Sequence, residues 1–333
     1  MSRLDELILE LCPDGVEYKK IKEVYKRIKG TPITAAKMKE IADDNGDVKI
    51  FAGGKTIVYA FEKDIPNANI TRIPAVLVQS RGVIDVVYYD LPFTFKNEMW
   101  AYTHENPITL KFLYYVLKNN INKFRDEAAG MGSMPQISLK VTEDFNMPVP
   151  PLEVQKEIVC LLDDFTAKTE ELQTELNKEY EARKKQYEYY REMLLENCSD
   201  STVVRLGDIC SVITKGTTPK NKSGNGTVNF IKVENINGFT GEINETSKIS
   251  LEEHNNYLKR SQLQEGDILF SIAGTLGRVT SVNKTILPAN TNQALAIIRL
   301  NKGNPRYVLH VLQSSLMKTY IKRLNRHIGD LLI

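Results

Sequence analysis

The pattern of apolar positions between residues 152 and 196 predicts one long helix. This stretch contains no proline and no glycine, and Glu, Lys, Gln, Leu and Tyr dominate it. Its apolar residues recur at steps of three and four and later of seven, as in a helix with one apolar seam, although the heptad slips near Leu176. At about 1.5 Å per residue such a helix would extend roughly 65 Å and would need a partner helix along its seam. The seam residues are Ile158, Leu162, Phe165, Leu172, Leu176, Tyr180, Tyr187 and Leu194.

The segments on either side of this helix alternate short strands with turns. Residues 75–78, 86–89 and 268–272 are β-branched runs bounded by glycine and asparagine turns, and each segment ends in an apolar helix. The prolines among residues 148–151 end the first segment, because proline at that density blocks both helices and central strands. We therefore predict an α/β (α+β) protein with two similar domains of curved sheet joined by a coiled-coil helix. The predicted boundaries are 1–150, 151–198 and 199–333.

The two flanking segments also resemble each other. A Lys-Gly-Thr element occurs at residues 29–31 and again at 215–217, with a proline shortly after each. The strand at 75–78 corresponds to 267–270, residues 96–99 correspond to 291–294, and an Asn-Pro pair opens an apolar helix at residues 106 and 304. Because these counterparts follow in the same order, we interpret the chain as containing a duplicated domain.

The net charge is only +2 at pH 7, so a nucleic-acid surface would have to arise from local segregation of charge. No apolar run approaches the roughly 20 residues of a membrane span, and the N-terminal residues do not fit a signal peptide. We therefore expect a cytoplasmic protein without a membrane partner. The cysteines and histidines lack metal-ligand spacing, so we expect reduced thiols and no metal site.

The sequence lacks the motifs that would mark an enzyme. Residues 53–56 (GGKT) resemble the end of a phosphate-binding loop, but Lys49 stands where that loop needs a glycine. The glycines at 130 and 132 lack the third glycine and the strand-turn-helix context of a dinucleotide fingerprint. Neither an amino-methyltransferase motif nor a nucleophile elbow is present. We therefore predict no catalytic residues and a binding function.

In combination, these features resemble the specificity subunits of type I restriction-modification enzymes. Residues 149–159 (VPPLEVQKEIV) are similar to the proline-rich entry into the family's conserved helix, and residues 161–163 (LLD) follow. Residues 266–271 (GDILFS) with Gly274, residues 204–208 (VRLGD) and both Lys-Gly-Thr elements extend the likeness to nearly the whole chain. The family usually continues into a closing strand and a second long helix. The resemblance therefore implies that the second domain of this chain lacks both.

The resemblance also implies a division of labour. Each recognition domain would read one half of a split double-stranded DNA site, and the long helix would act as a ruler between them. Methyltransferase and restriction subunits would methylate adenine or cut DNA and would bind S-adenosylmethionine and ATP, so no cofactor is expected on this chain. The seam would pair with the same helix of another copy or with methyltransferase helices.

Readout of base sequence needs Arg or Lys for guanine and Asn or Gln for adenine, presented from loops in the major groove. Residues of these types lie in glycine-punctuated loops at matching points of the two halves, although a solvated surface role is as common for any single one. The candidates are Lys29, Lys55, Arg81, Lys96 and Asn97 in the first half, and Lys215, Lys220, Lys222, Lys232, Asn235, Arg278, Asn292 and Gln293 in the second.

Other functions explain parts of the sequence. A coiled-coil scaffold without a DNA role accounts for the helix but leaves the duplicated flanks unexplained. A silent truncated allele without autonomous DNA recognition would have the same sequence features. The tyrosines at 180, 187, 189 and 190 suggest base stacking, but their heptad-like spacing favours a helix-helix seam. DNA recognition explains the most features, and it is the function that we predict.

Overall fold

A computed structural model describes residues 2–128, 134–196, 203–220 and 226–329, with side chains up to residue 323. The chain divides into two compact units, unit 1 (Met1–Glu175) and unit 2 (Leu176–Ile333). The boundary between them falls inside the long helix, so each unit includes one part of it.

The described part of unit 1 alternates short strands with helices. Its elements in chain order are α1 (Arg3–Leu11), β1 (Tyr18–Lys20), α2 (Ile21–Val24), β2 (Lys26–Ile28), α3 (Ala35–Glu40), β3 (Val48–Phe51), β4 (Ile57–Ala60), β5 (Ala75–Gln79), β6 (Asp85–Tyr89), β7 (Phe93–Phe95), β8 (Trp100–Thr103), α4 (Pro107–Asn119), α5 (Ile121–Ala128), α6 (Leu139–Glu143), β9 (Asn146–Pro148) and α7 (Leu152–Glu196), which continues into unit 2. The strands predicted at 75–78 and 86–89 are confirmed, and so is the apolar helix opened by Asn106 and Pro107, where Asn106 is the N-cap.

Two sheets form the body of unit 1. The larger sheet is antiparallel with the order β2-β8-β5-β6, and the smaller has the order β4-β3-β7 with β3 and β7 parallel. Strand β5 is buried along its whole length because apolar side chains cover both faces of the sheet. Val76 and Val78 pack with helix α4, whereas Leu77 packs with Phe93 and Phe95.

A small polar network lies inside the core of unit 1. The Thr142 hydroxyl oxygen accepts a hydrogen bond from Trp100 Nε1 at 2.9 Å and lies 2.7 Å from the Tyr102 hydroxyl. Burial raises the pKa of Tyr102, so its hydroxyl stays protonated and available as a donor. The network therefore satisfies the two polar atoms that the aromatic rings bring into the core.

Replacing Thr142 by valine is expected to lower the free energy of unfolding of unit 1 by about 2 kcal/mol. The valine keeps the volume but leaves buried donors without an acceptor. Urea denaturation followed by the fluorescence of Trp100, the single tryptophan of the chain, measures this loss. Thr142→Ser retains the hydroxyl, so a Ser variant as unstable as the Val variant would contradict the network.

Unit 2 repeats the alternation of strands and helices. After the end of α7 its described elements are β10 (Cys210–Lys215), β11 (Val228–Ile231), β12 (Ser247–Ile249), α8 (Leu251–Asn255), β13 (Ile268–Ser271), β14 (Val279–Ser281), β15 (Ala289–Thr291), β16 (Leu295–Leu300), α9 (Pro305–Gln313) and α10 (Ser315–Gly329). The strand predicted from residue 268 is confirmed, and so is the helix opened by Asn304 and Pro305, where Asn304 is the N-cap.

The sheets of unit 2 have the topology of those in unit 1. Their orders are β10-β16-β13-β14, all antiparallel, and β12-β11-β15, with β11 and β15 parallel. Each of these strands has its counterpart at the same place in unit 1, whereas the two-stranded antiparallel sheet β1-β9 of unit 1 has no counterpart among the described residues of unit 2. The duplication interpreted from the sequence therefore extends to strand order and direction.

The Gly-Asp pair before β13 has a structural role in unit 2. Gly266 adopts a φ of +85°, a left-handed conformation that favours glycine, and Asp267 is fully buried. The Asp267 carboxylate accepts hydrogen bonds from Nε and Nη2 of Arg299, both at 2.7 Å, and from the Gln264 amide at 2.8 Å. This bidentate ion pair raises the pKa of Arg299 and joins β13 to β16.

Helix α7 has the bounds predicted from the sequence, Leu152–Glu196. Its first turns are anchored in unit 1, where Val154 and Val159 are buried and Gln155 Nε2 donates to the Pro150 carbonyl at 2.7 Å. Its last turns are anchored in unit 2, where Glu192 accepts hydrogen bonds from the Ser315 amide and hydroxyl. The polar composition of the middle reflects solvent exposure rather than packing.

The contact of Glu192 with the start of α10 predicts a pH dependence. Burial opposes ionisation of Glu192, but the hydrogen bonds from Ser315 and Arg191 outweigh it and lower the pKa of Glu192. A lowered folded pKa means that this stabilisation is present above the unfolded pKa and is lost as the pH falls through the folded value. We expect Glu192→Gln to abolish that acid dependence and to weaken attachment of α10 by about 1 kcal/mol. Hydrogen exchange of α10 amides against pH measures both effects, and an unchanged profile in the variant would contradict them.

Candidate nucleic-acid interface

In both units the backbone of the Lys-Gly-Thr element crosses close to the end of a strand in the smaller sheet, β7 in unit 1 and β15 in unit 2. A Cβ atom on Gly30 would lie 2.1 Å from the Phe95 carbonyl oxygen, and one on Gly216 would lie 2.3 Å from the Asn292 carbonyl oxygen. The threonine amides then donate to the ends of β7 and β15, Thr31 to Phe95 at 2.8 Å and Thr217 to Thr291 at 2.9 Å. The crossing brings the two sheets of each unit together at one edge, and it leaves the lysine before each glycine exposed.

In unit 1 this edge collects all five candidates of the first half. Strands β2, β3, β5 and β7 end there, and β4, β6 and β8 begin there, as the pairing registers show. We call residues 29–31, 53–56, 80–83, 95–98 and 134–137 the loop edge of unit 1. It carries Lys29, Lys55, Arg81, Lys96 and Asn97.

Backbone hydrogen bonds hold these loops to each other. The Gly54 amide donates to the Arg81 carbonyl at 3.0 Å, the Lys96 amide to the Phe51 carbonyl at 3.0 Å, and the Gly82 amide to the Pro135 carbonyl at 2.8 Å. Because carbonyl and amide groups of the main chain make the contacts, the side chains of Lys55 and Arg81 remain exposed. The loops thus form one surface rather than independent tips.

The candidates of unit 1 differ in their electrostatic surroundings. Lys96 Nζ lies 2.9 Å from Glu98 Oε1, and each side chain is only about one fifth exposed, 22% and 21%. Within the described residues, Lys29, Lys55 and Arg81 form no ion pair, and all three are exposed, as is Asn97. The free positive charge of this edge therefore resides on Lys29, Lys55 and Arg81.

Unit 2 has the corresponding loop edge at residues 215–218, 232–235, 272–278 and 291–294. The registers again place the ends of β10, β11, β13 and β15 beside the starts of β14 and β16. Six of the eight candidates of the second half lie on this edge. They are Lys215, Lys232, Asn235, Arg278, Asn292 and Gln293.

Two of these six candidates hold the loops in place. Arg278 Nη1 donates to the carbonyls of Val233 and Ile236 at 3.1 and 2.8 Å. Asn235 accepts from the Lys232 amide at 2.8 Å and donates through Nδ2 to the Glu245 carbonyl at 2.6 Å. These bonds engage Nη1 of Arg278 and both ends of the Asn235 amide, so Arg278 and Asn235 position the loop after β11.

The remaining candidates of unit 2 have varied surroundings. Lys215 and Gln293 are exposed, and Asn292 accepts from the Ala294 amide at 3.2 Å. Lys232 Nζ lies 3.7 Å from Glu234 Oε1. Lys220 lies off the edge with Nζ 4.4 Å from the centre of the Tyr257 ring. Lys222 falls outside the described residues.

Two residues at the loop edges escaped the sequence analysis. Gln136 forms a bridge with Arg81, and the exposed Arg260 donates to the hydroxyls of Thr214 and Thr217 at 2.9 and 3.3 Å. Gln136 follows Gly130 and Gly132 but is far in sequence from its neighbour Arg81, and Arg260 has no glycine near it and is far in sequence from Thr214 and Thr217. Only the tertiary structure brings them to the surfaces that the candidates form.

Comparison with known proteins identifies the family. The family model for the type I restriction modification DNA specificity domain matches residues 13–182 and 198–329, one copy for each repeat. The chain belongs to this family. It is 34% identical over 219 residues to a putative type I restriction enzyme specificity subunit of Haemophilus influenzae, covering 61% of this chain and 54% of that protein. It is 29% identical over 212 residues to the EcoR124I/EcoR124II specificity subunit of Escherichia coli, covering 59% and 52%.

The chain thus spans about half the length of the curated relatives that it matches. A solved structure concerning complex assembly of the type I R-M system has a similar fold, with a TM-score of 0.55 at 15% identity, covering 90% of this chain and 79% of that one. The recognition made from the sequence motifs is confirmed, and so are the mixed fold and the long central helix.

The predicted seam of α7 divides between the units. In unit 1, Ile158 packs against the core, so it serves its own unit. In unit 2, Tyr180 and Tyr187 meet the Phe239 ring at centroid distances of 6.3 and 5.8 Å, and the Tyr187 hydroxyl lies 3.3 Å from His310 Nδ1. These contacts correct the expectation that the whole seam pairs with a helix of another polypeptide, because parts of it pack within the chain. Leu162 is half-buried, and the other seam side chains are 60–69% exposed, namely Phe165, Leu172, Leu176 and Leu194.

Two further searches concern the described residues only. They contain no group of three or more His, Cys, Asp or Glu side chains suited to hold a metal ion. None of their helices combines the length and apolar character needed to cross a membrane.

Proposed function

We propose that this chain reads DNA sequence for a type I restriction-modification system, with each loop edge contacting one part of a bipartite site. One observation carries the proposal: loops from separate strands converge on one sheet edge in each unit and present exposed cationic and amide side chains there. Family membership makes DNA the ligand of first choice. The chain would itself be non-catalytic.

The chemistry of the loop edge of unit 1 fits direct readout. The exposed Arg81 accepts a hydrogen bond from the Gly54 amide through its backbone carbonyl. Lys55, which directly follows Gly54 in the sequence, is a second exposed cation near Arg81. A guanidinium offers a bidentate pair of donors to guanine O6 and N7, and an ammonium offers a single point contact to guanine or phosphate. Asn97 on the neighbouring loop supplies the amide that adenine requires.

We further propose that methyltransferase and restriction subunits supply the chemistry, with S-adenosylmethionine and ATP bound on those partners. The exposed apolar side chains of α7 from Phe165 to Leu176 would pair with a helix of another polypeptide, and a second copy of this chain is the occupant we favour. Leu172→Glu together with Leu176→Glu would then reduce the mass observed by light scattering. An unchanged mass would rule out self-association through this segment.

The experiment that tests the proposed function is single-molecule sequencing of methylated bases in host DNA. Cells with the gene, cells without it and cells carrying a loop-edge variant are compared. Loss of methyl-adenine at a split motif on deletion supports the proposal, and loss with Arg81→Ala assigns the readout to this edge. No change on deletion contradicts it, and co-purification with a methyltransferase subunit then separates a silent allele from a scaffold without a DNA role.

A further inference from the structure

Helix α10 is unusually basic for an element of this chain. Its 15 residues include Lys318, Lys322, Arg323 and Arg326 and no Asp or Glu, although the whole chain is close to neutral. Helix α5, which follows α4 in unit 1 as α10 follows α9 in unit 2, contains both basic and acidic residues. This segregation is the local charge pattern by which a near-neutral protein attracts a polyanion.

One apolar side of α10, that of Met317 and Ile321, is already used inside unit 2, whereas Leu316 and Tyr320 are 76% and 58% exposed. Met317 packs against the core cluster formed by β13, β14, β16 and α9. Ile321 approaches the loop between β13 and β14, since a Cβ built on Gly277 would lie 3.8 Å from Ile321 Cδ1. Met317 and Ile321 are both half-buried, and their spacing of four places them on one side of the helix. This side is therefore unavailable to a membrane surface.

The cationic side of α10 faces solvent. Lys318, Lys322 and Arg323 are all exposed, and within the part of the chain that the structure describes none of them forms an ion pair. Lys318 and Lys322 lie one turn apart on the same side, and Arg323 is adjacent to Lys322. Three uncompensated charges thus lie on a rigid element rather than on a loop.

Helix α10 lies beside the loop edge of unit 2. Gly277, which Ile321 approaches, is part of the loop 272–278 of that edge. Of the cations at this edge, Lys232 lies near Glu234, and Arg278 is held by neutral backbone carbonyls that leave its charge uncompensated. Lys215, Arg260 and Arg278 therefore supply three positive charges, and the three of α10 would double that number.

We propose that α10 contacts the sugar-phosphate backbone of DNA beside the site read by unit 2, through Lys318, Lys322 and Arg323. This inference rests on the proposed function, and it names the residues that would hold the DNA by its phosphates rather than by its bases. Contacts to phosphate fix register and add affinity without reading sequence. Each neutralised phosphate contributes about 0.9 to the slope of log K against log salt concentration.

The test is a triple variant of the full chain, Lys318→Ala, Lys322→Ala and Arg323→Ala. Alanine favours helix, so far-UV circular dichroism should show an intact fold. Fluorescence anisotropy of labelled duplex DNA over a range of potassium chloride concentrations measures affinity. We expect the salt slope to fall by about 2 to 3, with the same loss for every duplex sequence.

A second triple variant provides the control for net charge. Lys156→Ala, Lys178→Ala and Lys185→Ala remove the same charge from exposed positions of α7 and should leave the slope unchanged. If both triples behave alike while wild type binds duplex, the role of α10 is overturned and the proposed function stands. If wild type binds no duplex at low salt, both fail. If the α10 triple loses binding to vesicles of phosphatidylglycerol but not to DNA, α10 is a membrane-surface helix and the inference is wrong.

Discussion

Gly30→Ala is expected to destabilise unit 1 by about 3 kcal/mol or more, although it adds one methyl group. The new Cβ would lie 2.1 Å from the Phe95 carbonyl oxygen and 2.7 Å from Phe95 Cδ2. The carbonyl oxygen cannot rotate away, because it accepts the Thr31 amide and belongs to a strand whose residues are buried. Relief requires β7 to move, and that movement would disturb the packing of both sheets of unit 1.

Urea denaturation followed by Trp100 fluorescence measures this effect, because the single tryptophan reports on unit 1. Gly216→Ala makes the equivalent clash in unit 2 and should shift the circular dichroism transition while the Trp100 transition stays in place. Gly207→Ala is the matched control for Gly216→Ala in unit 2, since a Cβ there meets no atom within 4 Å. A Gly30→Ala protein whose Trp100 transition matches that of the wild type would show that the crossing is not rigid.

Arg81→Ala is expected to weaken binding to a specific duplex by about 1–3 kcal/mol, roughly 5- to 150-fold, if the guanidinium bonds a guanine. Arg81 is exposed, forms no ion pair within the described residues, and lies on a loop bonded to its neighbours through backbone atoms. The substitution therefore removes a contact without removing support for the loop edge. The loss should be confined to duplexes that carry the correct base at one position.

Competition anisotropy with a set of single-base substitutions of the methylated motif measures this prediction. Lys63→Ala is the control in the same unit, because Lys63 follows β4 and lies at the opposite end of the smaller sheet. Equal weakening on all sequences would make Arg81 a phosphate contact rather than a base reader. No weakening on any duplex would remove Arg81 from the interface.

The long helix and the repeat were predictable because their signals are local. A run of 45 residues without proline or glycine leaves few alternatives to a helix, and the observed bounds agree with the prediction. The repeat was visible because the crossing needs glycine and the helix entry needs an N-cap, and both requirements recur at matching positions. The strand order confirms that repeat at the level of topology.

The candidate site was predictable only as a set of loops. Loop segments that carry Lys, Arg or Asn were found from the sequence, and the structure gathers four of them, with five candidate residues, onto the edge of unit 1. What each side chain does there depends on neighbours far away in the chain. Arg278 bonds carbonyls 42 and 45 residues earlier, and no local signal separates it from the exposed Arg81.

By itself, the sequence determined the mixed fold, the helix α7, the duplication and the family, because periodicity, proline, glycine and motif constraints act over a few residues. Only the tertiary structure decided which candidate side chains are exposed and which hold loops in place, that Ile158 and Tyr187 pack within their own units, and that α10 turns its charge outward beside a loop edge. Those outcomes depend on hydrogen bonds and packing between segments distant in sequence, where a charged or apolar side chain has the same local appearance whether it holds a loop or faces solvent.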